Sequence, residues 1–145
     1  MPVITPLQAH DKAAWLTLAQ AYLAFYQTSR PDSDFEQLWL RLQAGHGLHA
    51  LGARVDGQLV GIAHYLYHPS CWSGDVCYLQ DLFVSPAHRG QGLGRALIEA
   101  VADQARRQGA PRLYWLTQAS NETARQLYDR VAAHTGFIRY EQALG

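Results

Sequence analysis

Cysteine is scarce in this chain, and residues spaced to hold a metal are absent from its sequence. Cys71 and Cys77 are the two cysteines among 145 residues, too few for a disulfide framework or a zinc site. Seven histidines occur, but His64 and His68 lie on or beside a predicted strand, where residues four apart do not easily share a metal. We therefore expect free thiols in a reducing compartment, histidines on the surface or in loops, and no metal.

Long apolar runs and an excess of one charge are also missing. No stretch stays apolar for the roughly 20 residues that a membrane-spanning helix needs. The N-terminus MPVITPLQAHDK lacks the basic start and apolar run of a signal peptide. Twelve Lys and Arg balance twelve Asp and Glu, so no broad positive field should attract nucleic acid or an anionic membrane. We expect a cytoplasmic protein that binds neither.

The patterns that are present predict one domain, residues 1–145, in which helices and strands alternate. Apolar residues at helical spacing predict helices at about 11–29, 33–44, 93–109 and 120–131. Strand patterns cover 3–6, 48–55, 59–67, 76–84, 113–116 and 137–141, and Asp56-Gly57 is typical of a hairpin turn. The resulting order, β-α-α-β-β-β-α-β-α-β, predicts an α/β (α+β) fold with an antiparallel meander followed by crossovers.

The stretch HRGQGLGRAL, residues 88–97, lies between an apolar strand and a helix. Glycine has no Cβ, so a ligand can approach its backbone closely. The unpaired N–H groups of a helix start and the helix dipole both favour an anion there, and Arg89 and Arg95 could add charge-assisted hydrogen bonds. The turn therefore predicts a site for phosphate or pyrophosphate.

Two common phosphate-binding motifs do not fit this turn. A dinucleotide site needs Gly-x-Gly-x-x-Gly, whereas the glycines here are Gly90, Gly92 and Gly94, followed by Arg95. A nucleoside triphosphate loop needs Gly-Lys before Ser or Thr, and the sequence has no such run. The pattern that remains is Arg-x-x-Gly-x-Gly, residues 89–94.

This pattern, together with a second segment, resembles the GNAT superfamily of N-acetyltransferases. The resemblance rests on LQDLFVSPAHRGQGLGRALIEAV, residues 79–101, and on LYWLTQASNETARQLYDRVAAHTGFIRYE, residues 113–141. It implies a central mixed, mostly antiparallel sheet of about six to seven strands with helices on both faces. It also implies acetyl-CoA as cosubstrate and no metal. Within the superfamily, the chain looks most like the small amine- and polyamine-type enzymes.

The resemblance also implies which residues hold the coenzyme. The preceding strand would pair with the pantetheine arm through Leu82, Phe83 and Val84. Asn121 would make a polar contact to the coenzyme, although it could equally be a helix N-cap or turn residue. The residues that would bind the pyrophosphate through backbone amides are Arg89, Gly90, Gln91, Gly92, Leu93 and Gly94.

Tyr128 and Asp81 are the expected catalytic residues. Tyr128 matches the family's general acid, and a tyrosine suits a departing thiolate because their ordinary pKa values are about 10 and 8.5. Without the resemblance, Tyr128 would be read as core. Polyamine-type relatives carry Glu-Asp where this chain has Gln80-Asp81, and residues 80 and 81 of a regular strand face opposite sides. Asp81 could bind the substrate cation, act as base through water, or be a half-buried structural residue.

We expect an acetyl-CoA-dependent N-acetyltransferase that acts on a primary amine of a small molecule, such as a polyamine or amino acid. The amine would attack directly in a ternary complex, because Cys77 begins a strand with no histidine beside it. Two alternatives stay open: a protein or peptide amine as acceptor, and a non-catalytic sensor that binds acetyl-CoA. A bare edge on the final strand, 137–141, predicts a homodimer that covers it.

Overall fold

Strands and helices follow the predicted order up to the last strand. A computed structural model describes residues 2–145, which divide into two compact units, residues 2–115 and 116–145. Only α4 of the elements below lies in the second unit. The elements are β1 (Val3–Pro6), α1 (Lys12–Phe25), α2 (Asp32–Ala44), β2 (His49–Val55), β3 (Gln58–His68), β4 (Val76–Val84), α3 (Leu93–Arg107), β5 (Leu113–Tyr114) and α4 (Glu122–Val131).

The strands form one sheet in the order β1-β2-β3-β4-β5, antiparallel except for the parallel pair β4 and β5. The hairpin between β2 and β3 turns at Asp56 and Gly57, whose φ angles are 51° and 77°. Two successive positive φ angles are what a type I′ turn needs, and Asp-Gly supplies them at low cost. The mixed, mostly antiparallel sheet is as predicted.

Helices cover both faces of this sheet. Trp15 of α1 and Trp39 of α2 pack in one buried cluster with Ile62 of β3 and Phe83 of β4. Gly61 precedes Ile62 and so faces the opposite side, where a Cβ would lie 3.3 Å from the Leu97 Cδ1 of α3. α1 and α2 therefore pack on one face and α3 packs on the other.

A buried ion pair links β2 to the turn before α1. Asp11 is 4% exposed, and its two oxygens accept from the Arg54 Nη1 and Nη2 at 2.8 and 2.6 Å. The Gln8 N–H also donates to Asp11 Oδ2, at 2.7 Å. The hydrogen bonds from Arg54 hold the pKa of Asp11 below its ordinary value, against the opposing effect of burial. Asp11 is therefore an anchor with both oxygens satisfied.

The predicted final strand is wrong, and the sheet has five strands rather than six to seven. Among residues 2–145, the segment 133–145 forms neither helix nor strand, and the predicted strand 113–116 shortens to β5. Phe137, Ile138 and Tyr140 are 86%, 75% and 88% exposed. Aromatic and β-branched residues favour an extended backbone, but a strand exists only where a neighbour completes its hydrogen-bond ladder. The predicted bare edge is therefore not formed.

In the described part of the chain, none of the helices is both long and apolar enough to cross a membrane.

Candidate active site

The glycine turn leads into the start of α3. Gly90 and Gly92 have φ angles of 82° and 77°, a left-handed conformation that favours glycine. Gly92 is the N-cap, and the first helical bond runs from the Ala96 N–H to the Gly92 carbonyl at 3.0 Å. Residues 93–95 therefore direct N–H groups out of the helix without a helical acceptor, and the N-cap residue is a glycine, which supplies no side-chain cap.

The space above this turn is open. A Cβ at Gly90 or Gly92 would meet no atom of the described chain within 4 Å. The turn thus combines backbone donors that lack helical acceptors, the positive end of a helix dipole and room for a ligand, which together favour an anion. The turn therefore has the backbone geometry that a phosphate or pyrophosphate site needs, and this role of residues 89–94 stays a prediction.

Both arginines beside the turn have partners within the protein. The Arg89 Nε donates to the Val84 carbonyl at 3.1 Å, and its guanidinium lies 5.3 Å from the Phe83 ring and 5.7 Å from the Phe25 ring. The Arg95 Nε donates to Glu99 Oε1 at 2.9 Å. The Nε of each arginine is therefore engaged within the protein, whereas the backbone N–H groups of residues 93–95 have no helical acceptor.

β4 extends well beyond its pairing with β5. The two strands pair only at Cys77 with Leu113 and at Tyr78 with Tyr114. On its other side β4 is paired with β3 along its length except at Gln80, and Leu82, Phe83 and Val84 are paired with Ala63, Ile62 and Gly61. The part of β4 that leads to the glycine turn thus continues past β5, where an extended ligand could pair with its backbone.

A β-bulge at Gln80 changes the orientation of β4. Asp81 is paired with His64, but Tyr65 is paired with Leu79, so Gln80 is the extra residue of a bulge. The expectation that residues 80 and 81 face opposite sides assumed an unbroken alternation, and the bulge interrupts that alternation at Gln80. The bulge places Asp81 directly across from His64, on the face that Ile62 and Phe83 share with α1.

Asp81 belongs to a hydrogen-bonded chain that reaches into the core. His64 Nδ1 and Asp81 Oδ2 are 2.9 Å apart, and the Trp15 Nε1–H donates to His64 Nε2 at 3.0 Å. His64 is 6% exposed, which corrects the expectation of a surface or loop histidine. The Asp81 side chain is 24% exposed. Burial and then the Asp81 charge raise the pKa of Tyr26, at the end of α1.

The sequence carries a signal that His64 is buried. His64 lies within GIAHYLY, and two-residue alternation along β3 puts it on the same face as Ile62. A histidine on the buried face of a central strand needs hydrogen-bond partners. Its register against Asp81, however, depends on the bulge at Gln80, which no local pattern predicts.

Asn121 and Tyr128 lie in the second unit, residues 116–145. Asn121 is the N-cap residue of α4, but its side chain makes no capping bond; its Nδ2 donates to Thr117 Oγ1 at 3.3 Å. Its carbonyl accepts the Arg125 N–H at 3.0 Å. Tyr128 is partly exposed in α4. The roles of these two residues stay predictions.

No metal-binding group is found among residues 2–145, where no cluster of three or more His, Cys, Asp or Glu side chains occurs. Cys71 is exposed and Cys77 is buried, both as free thiols. Burial raises the pKa of Cys77 to about 11, so this thiol is protonated and unreactive near neutral pH.

Comparison with known proteins decides the family. The profile of the Acetyltransferase (GNAT) family matches residues 15–133. The chain belongs to this family. It is 32% identical to the D-amino-acid N-acetyltransferase HPA3 of Saccharomyces cerevisiae, over 97% of this chain and 89% of that protein. It is 36% identical to the thialysine N-epsilon-acetyltransferase of Bos taurus, over 59% of this chain and 51% of that protein.

Solved GNAT structures superpose over nearly the whole chain. A ribosomal-protein-alanine N-acetyltransferase from Brucella melitensis biovar Abortus 2308 is 28% identical, with a TM-score of 0.80 and coverage of 99% and 100% of the two chains. AAC(6')-Iy, in complex with a bisubstrate analogue of CoA and acetylneamine, has a TM-score of 0.89 at 19% identity, covering 100% and 99%. The fold is the GNAT fold, and the protein is an N-acetyltransferase.

Proposed function

We propose that this N-acetyltransferase moves the acetyl group of acetyl-CoA onto the primary amine of a small molecule, by direct attack in a ternary complex. One observation carries the proposal: β4 joins a partly exposed carboxylate, Asp81, to the open anion site at the start of α3. The residue that binds the amine and the turn that binds the coenzyme would thus lie on, or directly after, the same strand. Residues 1–145 would act as one acetyltransferase domain.

The first unit offers a site for each part of the coenzyme. The backbone of the turn 89–94 would bind the pyrophosphate, because residues 93–95 lack helical acceptors and Gly92 leaves open space. Leu82, Phe83 and Val84 would pair with the pantetheine arm along the part of β4 beyond β5. Asn121, at the start of α4, would contribute one polar contact.

Asp81 would bind the acceptor and take its proton. An alkylammonium group has a pKa of about 10, so it must lose a proton before it can attack. A partly exposed carboxylate fixed by His64 is suited to both tasks. A main-chain N–H near Leu82, beside the bulge, would stabilise the oxyanion that forms on the thioester carbonyl.

The reaction balances with Tyr128 as acid. The amine nitrogen bonds to the carbonyl carbon, the carbon–sulfur bond breaks, and the sulfur leaves as a thiolate. Tyr128 gives that thiolate its phenolic proton, and the proton lost by the amine passes through Asp81 to solvent, from which Tyr128 is reprotonated. No covalent enzyme intermediate is needed, which agrees with a protonated, buried Cys77.

The names of the relatives favour a small acceptor. They include acetyltransferases of D-amino acids, thialysine and aminoglycosides, all of which carry primary amines. A second acceptor class, the N-terminal amine of a peptide, is favoured by the ribosomal-protein-alanine enzyme that shares the fold at 28% identity. We place the small amine first because HPA3 is 32% identical to this chain, whereas the ribosomal-protein-alanine enzyme is 28% identical.

An amine screen tests this function. Acetyl-CoA is incubated with each member of a panel of amines, and release of the CoA thiol is measured. The panel contains L- and D-amino acids, polyamines, an aminoglycoside and peptides with an N-terminal alanine. We expect small amines to stimulate thiol release and Gly92→Val to abolish it, because valine is strained at a φ of 77° and its side chain fills the anion site. Stimulation by peptides alone would assign the second class, and no stimulation would contradict the proposal.

We also infer a cytoplasmic homodimer. The bare edge strand that predicted a dimer from the sequence is not formed. The same segment nevertheless exposes apolar side chains, each at least 75% exposed: Phe137, Ile138, Tyr140 and Leu144. Apolar side chains clustered in one exposed segment mark an association surface, for which a second copy is the simplest occupant. The exposed Cys71 thiol suits a reducing compartment. Light scattering at micromolar concentration should give twice the chain mass, and a monomer would contradict the dimer.

A further inference from the structure

The rings of Trp15 and His64 in the hydrogen-bonded chain Trp15–His64–Asp81 are held in fixed positions by the core. Trp15 is 1% exposed, and its ring packs against that of Trp39 with centroids 5.1 Å apart. His64 is 6% exposed and lies on the central strand β3. Neither ring can turn without disturbing the core, so the order of donors and acceptors along this chain is fixed.

That order assigns the proton on His64. The indole Nε1–H of a tryptophan can only donate a hydrogen bond, so His64 Nε2, 3.0 Å away, must be the acceptor and carries no hydrogen. A neutral imidazole with a bare Nε2 has its hydrogen on Nδ1. The Nδ1–H then donates to Asp81 Oδ2 at 2.9 Å. The pair His64–Asp81 is thus a neutral donor on a carboxylate, not an ion pair.

We propose that His64 is a positioning residue for acetyl transfer: Trp15 fixes its tautomer, and the fixed Nδ1–H holds the Asp81 carboxylate as an anion in one orientation for the acceptor amine. The inference rests on the proposed function of Asp81. It assigns to a buried histidine the task of keeping that carboxylate ready, while the 24% exposed part of the Asp81 side chain stays available to the amine.

A consequence is that His64 and Asp81 do not form a proton relay. An imidazolium at position 64 would carry an Nε2–H that faces the Trp15 Nε1–H, and two facing donors lose their hydrogen bond. His64 therefore cannot store the proton that Asp81 takes from the amine. That proton must leave Asp81 to solvent, in contrast to triads in which the histidine itself receives the proton.

Two conservative substitutions separate the two hydrogen bonds of His64. In His64→Asn, the side-chain amide nitrogen occupies the place of Nδ1 and can still donate to Asp81, but the Trp15 N–H loses its acceptor. In His64→Gln, the longer side chain places its amide near Nε2, where it can accept from Trp15, but Asp81 loses its donor. The variants are matched in chemistry and differ in which neighbour stays satisfied.

We expect the more active of the two variants to be the less stable one. We expect His64→Asn to keep kcat/KM for the amine within about 3-fold of wild type while its thermal midpoint falls by a few degrees, because a buried N–H is unpaired. We expect His64→Gln to be the more stable of the two yet to lose about 10- to 100-fold in kcat/KM. The dissociation constant for CoA should not change in either.

A merely structural histidine gives another pattern. If activity follows stability, or if both variants keep full activity or lose it equally, the positioning role is overturned. These outcomes differ from failure of the proposed function, in which wild type itself transfers acetyl to no amine.

The tautomer has a readout that needs no activity. Long-range proton–nitrogen NMR correlations of the wild-type protein, with His64 assigned from His64→Asn, should show a protonated Nδ1 and an unprotonated Nε2. A protonated Nε2 would overturn the inference whatever the kinetics. If wild type proved inactive with every amine, this spectrum would still decide whether Trp15 fixes the tautomer.

Discussion

Asp11 and Asp81 are two carboxylates in the same unit, and their surroundings differ in one decisive respect. Asp11 is 4% exposed, and its oxygens accept hydrogen bonds from both terminal nitrogens of Arg54 and from the Gln8 N–H. Asp81 Oδ2 is hydrogen-bonded to His64 Nδ1 at 2.9 Å, and the Asp81 side chain stays 24% exposed. Asp11 is buried and paired with a cation, whereas Asp81 is partly exposed and bonded to a histidine for which we propose the neutral form.

Under the proposed function, this difference separates a structural aspartate, Asp11, from a catalytic one, Asp81. A bidentate arginine neutralises Asp11 and leaves it nothing to offer a ligand. In the proposed state, a neutral His64 would fix the orientation of Asp81 without cancelling its charge, so that the carboxylate would still attract an ammonium group. Buried anions are costly unless they are paired, and a partly exposed anion facing a substrate site is therefore a functional candidate.

The largest expected effect is on catalysis, at Asp81. Asp81→Asn should lower kcat/KM for the amine by about 10²- to 10³-fold, because an amide attracts no cation and takes no proton. Unfolding should change little, since the Asn carbonyl can still accept from His64. Amine kinetics and thermal melts check this, with the exposed Asp103→Asn as control. Normal kinetics would return Asp81 to a structural role.

The mirror-image effect is on stability, at Asp11. Asp11→Asn should lower the free energy of unfolding by about 3 kcal/mol, because it leaves the Arg54 guanidinium without its anion in a buried site. Activity of the folded fraction should be unchanged. Denaturant titration checks this, and Glu99→Gln, in an exposed pair with Arg95, should cost at most about 0.5 kcal/mol. If Asp11→Asn and Glu99→Gln lowered the free energy of unfolding equally, the structural role of Asp11 would be contradicted.

A smaller effect at Tyr128 separates the two proton transfers. Tyr128→Phe should lower kcat by about 10- to 100-fold with little change in the affinity for CoA, because the thiolate loses its acid while binding is kept. Tyr140→Phe, at a side chain that is 88% exposed, is the control. Turnover that is unchanged by Tyr128→Phe would remove this residue from the acid role.

The smallest expected effect is on how stability changes with pH in acid, at Asp11. Because the pKa of folded Asp11 is below its ordinary value of about 3.9, the unfolded chain takes up the proton first as pH falls. The stabilisation from Asp11 is therefore complete above about pH 4 and is lost as pH falls through the folded pKa. Wild type should lose up to about 1.4 kcal/mol more per pH unit there than Asp11→Asn. Equal slopes in urea titrations at several pH values would contradict this.

The sequence predicted the parts of the site that depend on local pattern. The glycine turn and the start of α3 are coded by neighbouring residues, so their position followed from residues 88–97 alone. The hairpin at Asp56-Gly57 followed for the same reason. The family resemblance supplied Asp81 as a candidate, and the match of residues 15–133 to the GNAT profile agrees with that resemblance.

The rest depends on pairing between distant strands. The partnership of His64 with Asp81 needs the bulge at Gln80, and a bulge is a property of register between two strands rather than of either sequence. The predicted strand 137–141 failed for a related reason, because its composition favours extension but cannot supply a neighbour. Prediction was therefore good within elements and poor across them.

The central claim is that the amine attacks acetyl-CoA directly while both are bound. It is tested most directly by initial velocities measured with acetyl-CoA and the best amine of the screen varied against each other. A ternary complex predicts double-reciprocal lines that intersect. Parallel lines would contradict the account, since they would require an acetylated enzyme intermediate that releases the CoA thiol before the amine binds.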